Sequence, residues 1–164
     1  MNEVSDSILI NLPKQQVWEK MRDLTQAHNY VPGVVRTVMH TQQLEGVGAS
    51  RVVHANGGKL LLDETVHEWT EGDGFVLRLH RGDDRAMPIF NEMYFRYAIE
   101  DAEGATLFKP AMIVKPRGLL GKLMFKLARS KMQQSVADVG IALKEYYESD
   151  KPVTSARMRE LKGQ

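Results

Sequence analysis

There is no cysteine among the 164 residues, which removes disulfides, thiolate chemistry and cysteine-ligated zinc together and suits a reducing compartment. No excess of one charge is present either. Lys and Arg number 22 against 21 Asp and Glu, a net charge of +1, so no global field draws the chain toward nucleic acid or an anionic membrane. The opening MNEVSDSILINLP lacks the basic start and long apolar run of a signal peptide, and no stretch approaches transmembrane length. The expectation is a cytoplasmic protein. Also missing are GxxxxGK[ST], a complete GxGxxG, HExxH and GxSxG, so phosphate-loop, dinucleotide, zincin and serine-hydrolase chemistries have no foothold and no cofactor is implied. The histidines, His28, His40, His54, His67 and His80, are scattered singly. His67 and His80 fall on neighbouring strands, but two imidazoles without a third placed ligand do not make a metal site. Nucleic-acid binding calls for basic residues interleaved with exposed aromatics on a sheet, whereas the strands here are acidic.

What is present is an ordered alternation. Val4 to Leu12 alternates as a strand and meets Pro13, which opens a helix, PKQQVWEKMRDL, with Val17, Trp18 and Met21 inward. After the polar break TQAHNYVPG come strand-like runs at 34–44, 49–55, 59–69, 75–81, 90–100 and 106–115. EGVG, NGG, EGDG and DAEG separate several of them and supply the positive-φ positions of tight antiparallel turns. From Gly118 to Ser149 the period becomes helical, and the remainder, 150–164, reads as a flexible tail after a single domain of 1–149. The fold class is therefore α+β: a curved seven-stranded antiparallel sheet wrapped around one long C-terminal helix, with short helical segments after the first strand. A long helix across a strongly curved sheet leaves a gap, and that gap is a cavity.

Four stretches, LPKQQVWEKMRDLTQAHNYVPGVVRT, VGASR, LLDETVHEW and KPRGLLGKLM…LKEYYE, resemble in order and spacing the polyketide-cyclase/dehydrase-like branch of the SRPBCC superfamily. This is the helix-grip group that includes START lipid-transfer domains and pollen-allergen-type proteins. The resemblance covers roughly residues 4 to 148. It implies a hydrophobic pocket between sheet and terminal helix, which different members use to carry lipids, sterols, hormones, quinones or polyketides. A minority of members are enzymes, so the shared fold does not by itself name a function.

Strand alternation assigns the pocket wall. In NGGKLLLDETVHEW, Leu60, Leu62, Glu64, Val66 and Glu68 share one face, while Leu61, Asp63, Thr65, His67 and Trp69 share the other. Three apolar residues around Glu64 mark the first set as concave. The resemblance agrees, since some hormone-binding members place a ligand-contacting acid at the matching point. Three readings of Glu64 stay open: a ligand contact, a partner for a neighbouring arginine such as Arg78 or Arg96, or a carboxylate that reaches water at a wide mouth. The same alternation places Phe75, Leu77, Asn91, Met93, Phe95, Tyr97, Phe108 and Met112 on this face, with Met132 and Val136 opposite on the helix. An aromatic and methionine-rich wall with few polar groups suits a bulky apolar ligand in a site of several hundred Å³. Binding for transport or sequestration is the simpler account. A cyclase or dehydratase would use Glu64 as base and Tyr97 to steady an enolate.

The terminal helix adds a third class. Phe125, Ala128, Met132, Val136, Val139, Leu143 and Tyr146 form the stripe that faces the sheet. In the first half, Leu120, Leu123, Met124 and Leu127 widen the apolar arc to roughly 200°, and Lys122, Lys126 and Arg129 occupy the other side, as in an interfacial helix. Either Tyr30 and Val31 cover Leu123, Met124 and Leu127 to form a pocket mouth, or the leucines stay exposed and helix 118–131 is a docking module for a membrane or a second subunit. The mouth is the expected arrangement, with transient contact to anionic membrane as it opens and the protein a monomer or homodimer.

Overall fold

The first strand already departs from simple alternation. A computed structural model, which describes residues 1–58 and 61–163, divides it into β1 (Asn2–Ser5) and β2 (Ile8–Ile10). Between them the Asp6 N–H donates to the Pro110 carbonyl at 3.0 Å. Pro13 caps α1 (Lys14–Met21), its φ of −57° already near helical, and α1 buries Val17, Trp18 and Met21. A 3-10 turn over Leu24–Asn29 follows, capped by Asp23, whose carboxylate accepts from the Thr25 N–H at 3.0 Å.

The meander comprises β3 (Val34–Met39), β4 (Ser50–Ala55), β5 (Leu61–Thr70), β6 (Gly74–Arg81), β7 (Asp84–Arg85), β8 (Phe90–Ala102), β9 (Ala105–Phe108) and β10 (Ala111–Pro116). The order across the sheet is β1-β10-β8-β6-β5-β4-β3, with β2 beside β9, β9 beside β8, and β7 beside β6. Among the described residues these ten segments occupy seven strand positions. The pairs β1/β2 and β9/β10 are two strands interrupted at the same level, where Pro110 has no N–H to give a ladder. The first and last strands are therefore neighbours, and the expected seven-stranded antiparallel architecture is present. Leu60, expected on the concave face, lies outside the described residues.

The helix α2 (Gly118–Ser149) packs on β1, β2 and β10. Its start is clamped: a Cβ on Gly121 would stand 2.5 Å from the Ile89 carbonyl oxygen, so only glycine fits that approach. Of the stripe assigned to the sheet, Phe125, Val136, Val139 and Leu143 are buried, and Ala128, Met132 and Tyr146 are half-buried. No described helix is long and apolar enough to cross a membrane.

The flexible tail is corrected. After α2 ends on Asp150 in the left-handed conformation, α3 (Ser155–Leu161) forms, its Arg157 N–H donating to the Thr154 hydroxyl at 3.1 Å. Met158 is buried, the Val153 N–H donates to the Asn29 carbonyl at 2.8 Å, and Lys162 pairs with Asp138 at 2.9 Å. A capping threonine, one buried methionine, a backbone hydrogen bond and an ion pair dock this short segment.

Candidate functional site

A buried charge pair stands at the centre of the concave wall. β4 and β5 run antiparallel with Arg51 directly opposite Glu64, and Arg51 Nε donates to Glu64 Oε2 at 2.6 Å. Arg51 has no exposed surface, and Glu64 is 8% exposed. A second arm, Arg51 Nη1, donates to the Leu24 carbonyl at 2.7 Å and so ties the sheet to the 3-10 turn. Burial pulls the Arg51 guanidinium down, but the charge of Glu64, helped by Tyr30 and Tyr97, outweighs it and the net direction is upward. Arg51 Nη2 and the hydroxyls of Tyr30 and Tyr147 are buried without a hydrogen-bond partner among the described residues.

Around the pair the aromatics form one continuous cluster. Tyr97 stacks on Phe75 with ring centroids 4.9 Å apart, Phe75 stacks on Trp69 at 5.5 Å, and Tyr30 meets Tyr97 and Tyr147 edge-on at 6.4 and 5.9 Å. Burial pushes the phenols of Tyr30, Tyr97 and Tyr147 up, and the Arg51 charge only partly opposes this. These side chains stay neutral, and the hydroxyls of Tyr30 and Tyr147 keep a donor that no described group takes up.

Two cavities lie on either side of the Val31–Pro32 segment. The inner one, about 220 Å³, is the gap between sheet and α2 and is lined by Val31, Pro32, Leu62, Glu64, Leu79, Phe95, Tyr97, Met112, Ser135, Asp138 and Val139. It reaches the surface at Pro32 and Ser135, both exposed. The outer one, about 540 Å³, runs under α3 between Tyr30–Val35 and Met158, Arg159 and Lys162. Val31 and Pro32 belong to both walls.

Of the wall residues expected from alternation, Leu62, Glu64, Phe95, Tyr97 and Met112 line the inner cavity. Val66, Phe75, Leu77, Met93, Phe108 and Val136 are buried in the packed core, and Met132 is packed at its margin. The cavity is accordingly smaller than expected, because the aromatic stack fills its far end. Asn91 is exposed: the β8–β10 register slips between Lys115 and Pro116, and the bulge turns Asn91 out. A second bulge, between Val66 and Glu68, exchanges the next pair, so that Glu68 is exposed and Trp69 packs inward against Trp18 and Phe75. The arginine partner of Glu64 is neither Arg78, which is exposed, nor Arg96, which binds Glu3 at 2.7 Å. Asp63 faces the other side and accepts from the Gly82 N–H at 2.7 Å. His80 hydrogen-bonds Thr65 and the Gly82 carbonyl, while His67 packs on Tyr94.

The expected mouth is also corrected. Tyr30 is buried and Val31 lines both cavities, but Leu123, Met124 and Leu127 are 54%, 36% and 69% exposed. The segment 24–33 faces the second half of α2 instead, with Asn29 Nδ2 donating to the Tyr146 hydroxyl at 3.1 Å and Val31 across from Val139. At 1.5 Å per residue that is about 20 Å from the leucines. Arg51, Pro32, Ser135 and Asp138 were not anticipated as site residues. Only Arg51 carried a signal, as a lone charge beginning the apolar run RVV of a short strand.

Comparison with known proteins places this geometry. The family model described as "Polyketide cyclase / dehydrase and lipid transport" matches residues 1–148. Among solved structures the chain is similar to TTHA0849 from Thermus thermophilus, at 17% identity and a TM-score of 0.67 over 91% of this chain and 99% of that one. It is also similar to Ara h 8.0201, at 13% identity and a TM-score of 0.64 over 90% and 98%. The Zhui aromatase/cyclase from Streptomyces sp. R1128 gives 13% identity and a TM-score of 0.65 over 94% and 97%. No curated protein sequence matches.

Proposed function

Because this chain belongs to the polyketide cyclase / dehydrase and lipid transport family, we propose that its inner cleft binds a small hydrophobic molecule carrying one hydroxyl or carbonyl, held for transport or sequestration. The observation that carries this reading is the composition of the inner wall. Leu62, Leu79, Phe95, Met112 and Val139 supply an apolar lining, and Tyr97 and Glu64 bring one neutral donor and one acceptor to it. Glu64 is engaged by Arg51 through one oxygen, and a carboxylate keeps acceptor capacity beyond that bond. The same ion pair argues against proton abstraction: Glu64 Oε2 already accepts from Arg51 Nε at 2.6 Å and is not free to reach a substrate proton. A guest larger than the inner cavity is accommodated by displacement of Val31 and Pro32, which joins it to the outer one.

The test is native mass spectrometry of freshly purified protein, with displacement of anilinonaphthalene sulfonate as a second readout. The wild type is expected to retain a small apolar molecule that elutes unchanged, and Val139→Trp, which fills the cavity, is expected to lose both signals. Equal probe binding by wild type and Val139→Trp overturns the assignment of the cavity. Conversion of the eluted molecule on readdition replaces transport with catalysis.

A further inference from the structure

The side of α2 that faces away from the core is apolar where it ought to be polar. Taking about 100° per residue, the buried Gly121 and Phe125 and the half-buried Ala128 define the inward direction. Leu119, Leu120, Leu123, Met124 and Leu127 then span an arc of roughly 140° whose centre is turned about 135° away from that direction. Their exposures run from 36% at Met124 to 84% at Leu119. The sheet is on the other side of the helix and the 24–33 segment lies farther along it, so no described element covers these five side chains.

Charge identifies what does. No acidic residue occurs between Glu103 and Asp138. Lys122, Lys126 and Arg129 flank the apolar arc on one side, Lys131 follows it, and Arg117 precedes the helix. All five are exposed, and none makes an ion pair among the described residues. An exposed leucine face bordered by unpaired cations is the arrangement of a helix that lies in a lipid interface, the leucines entering the acyl boundary and the cations meeting acidic headgroups. We infer that residues 117–131 form a docking surface for an anionic lipid bilayer. A second copy of the chain fits less well. Two such faces brought together would oppose the five unpaired cations of each, which costs association energy. The helix lies on the membrane and does not cross it, since none of the described helices has an apolar span of sufficient length. This inference stands independently of what the cavity holds.

Vesicle flotation of the full chain tests it, using phosphatidylcholine alone and phosphatidylcholine mixed with phosphatidylglycerol, at low and high salt. The wild type is expected to float with the anionic vesicles, less at high salt and least with phosphatidylcholine alone. Leu123→Glu with Leu127→Glu should weaken partitioning roughly tenfold or more, and Lys122→Glu with Lys126→Glu should abolish the preference for anionic lipid. All four positions are exposed, so circular dichroism and melting temperature stay at wild-type values. Failure of the wild type to float, or flotation by both variants at the wild-type level, overturns the inference. So does a dimeric mass in light scattering that falls to a monomer in the leucine variant without any flotation, which assigns the face to self-association.

Discussion

The two halves of α2 are continuous in backbone and opposite in what they turn outward. From Val136 onward the outward positions are polar and their charges are paired: Lys144 with Glu148 at 2.7 Å, Glu145 with Arg157 at 2.8 Å, Asp138 with Lys162 at 2.9 Å. Before Met132 the outward positions are leucines, and among the described residues the cations there make no ion pair. The second half grips the sheet, carries α3 on its back and forms one wall of the cavity. The first half touches the molecule along a narrow line through Gly121 and Phe125. Along one helix the outward positions thus change from exposed leucines with unpaired cations to polar side chains with paired charges.

The largest effect should come from the wall that faces the gripping half. Arg51→Met leaves the Glu64 carboxylate buried and unpaired and is expected to destabilise the fold by about 3–5 kcal/mol in urea unfolding. Adding Glu64→Leu should recover most of that loss. If the single substitution proves as stable as the wild type, the ion pair does not organise this wall. The comparison between the halves is sharpened by one matched pair of truncations. Leu143→Ala removes a side chain with no exposed surface and should cost about 2–5 kcal/mol, whereas Leu127→Ala should stay within about 0.5 kcal/mol. A comparable loss at both sites would mean that the outward leucines are packed after all.

Much of this was legible in the residues. Alternation and turn glycines were enough for the meander, and Pro13 for the start of α1. The stripe from Phe125 to Tyr146 identified the gripping face because burial on one side imposes a 3.6-residue period. What escaped was set by single-residue irregularities. Alternation cannot anticipate the bulges at His67 and beside Asn91; the first exchanges Glu68 and Trp69, and the second turns Asn91 out while Met93, Phe95 and Tyr97 keep the expected face. The partner of Glu64 was hidden by loop length. A two-residue Asn56–Gly57 turn would set Arg51 opposite Leu62, but β4 ends at Ala55 and β5 begins at Leu61, and this longer connection moves Arg51 two residues along, onto Glu64. Covering the outward leucines with Tyr30 and Val31 was reasonable as chemistry and wrong as geometry, since sequence carries no measure of how far along a helix a loop will land. The helix α3 lies beyond the residues that the family model matches, and no resemblance could have supplied it.

The smallest effect concerns protons and separates the halves in a different way. The gripping half contributes Tyr147 to a buried cluster with Tyr30 and Tyr97, and burial raises all three phenols above the ordinary tyrosine value of about 10. For an acid whose folded value is raised, the unfolded chain loses its proton first as pH rises. The stability these groups contribute is therefore fully present below about pH 10 and declines as pH climbs from there through the folded values. Alkaline titration followed at once by phenolate absorbance and far-ultraviolet circular dichroism should show these three tyrosines ionising only as the fold is lost. Tyr147→Phe should remove one proton from that cooperative step. The substitution also deletes a hydroxyl that has no partner, so the variant should be at least as stable as the wild type at neutral pH and lose less of its stability on the way to alkaline pH. Ionisation of all the tyrosines ahead of any change in circular dichroism would show that water reaches the cluster, and that the gripping half holds the sheet less tightly than its packing requires.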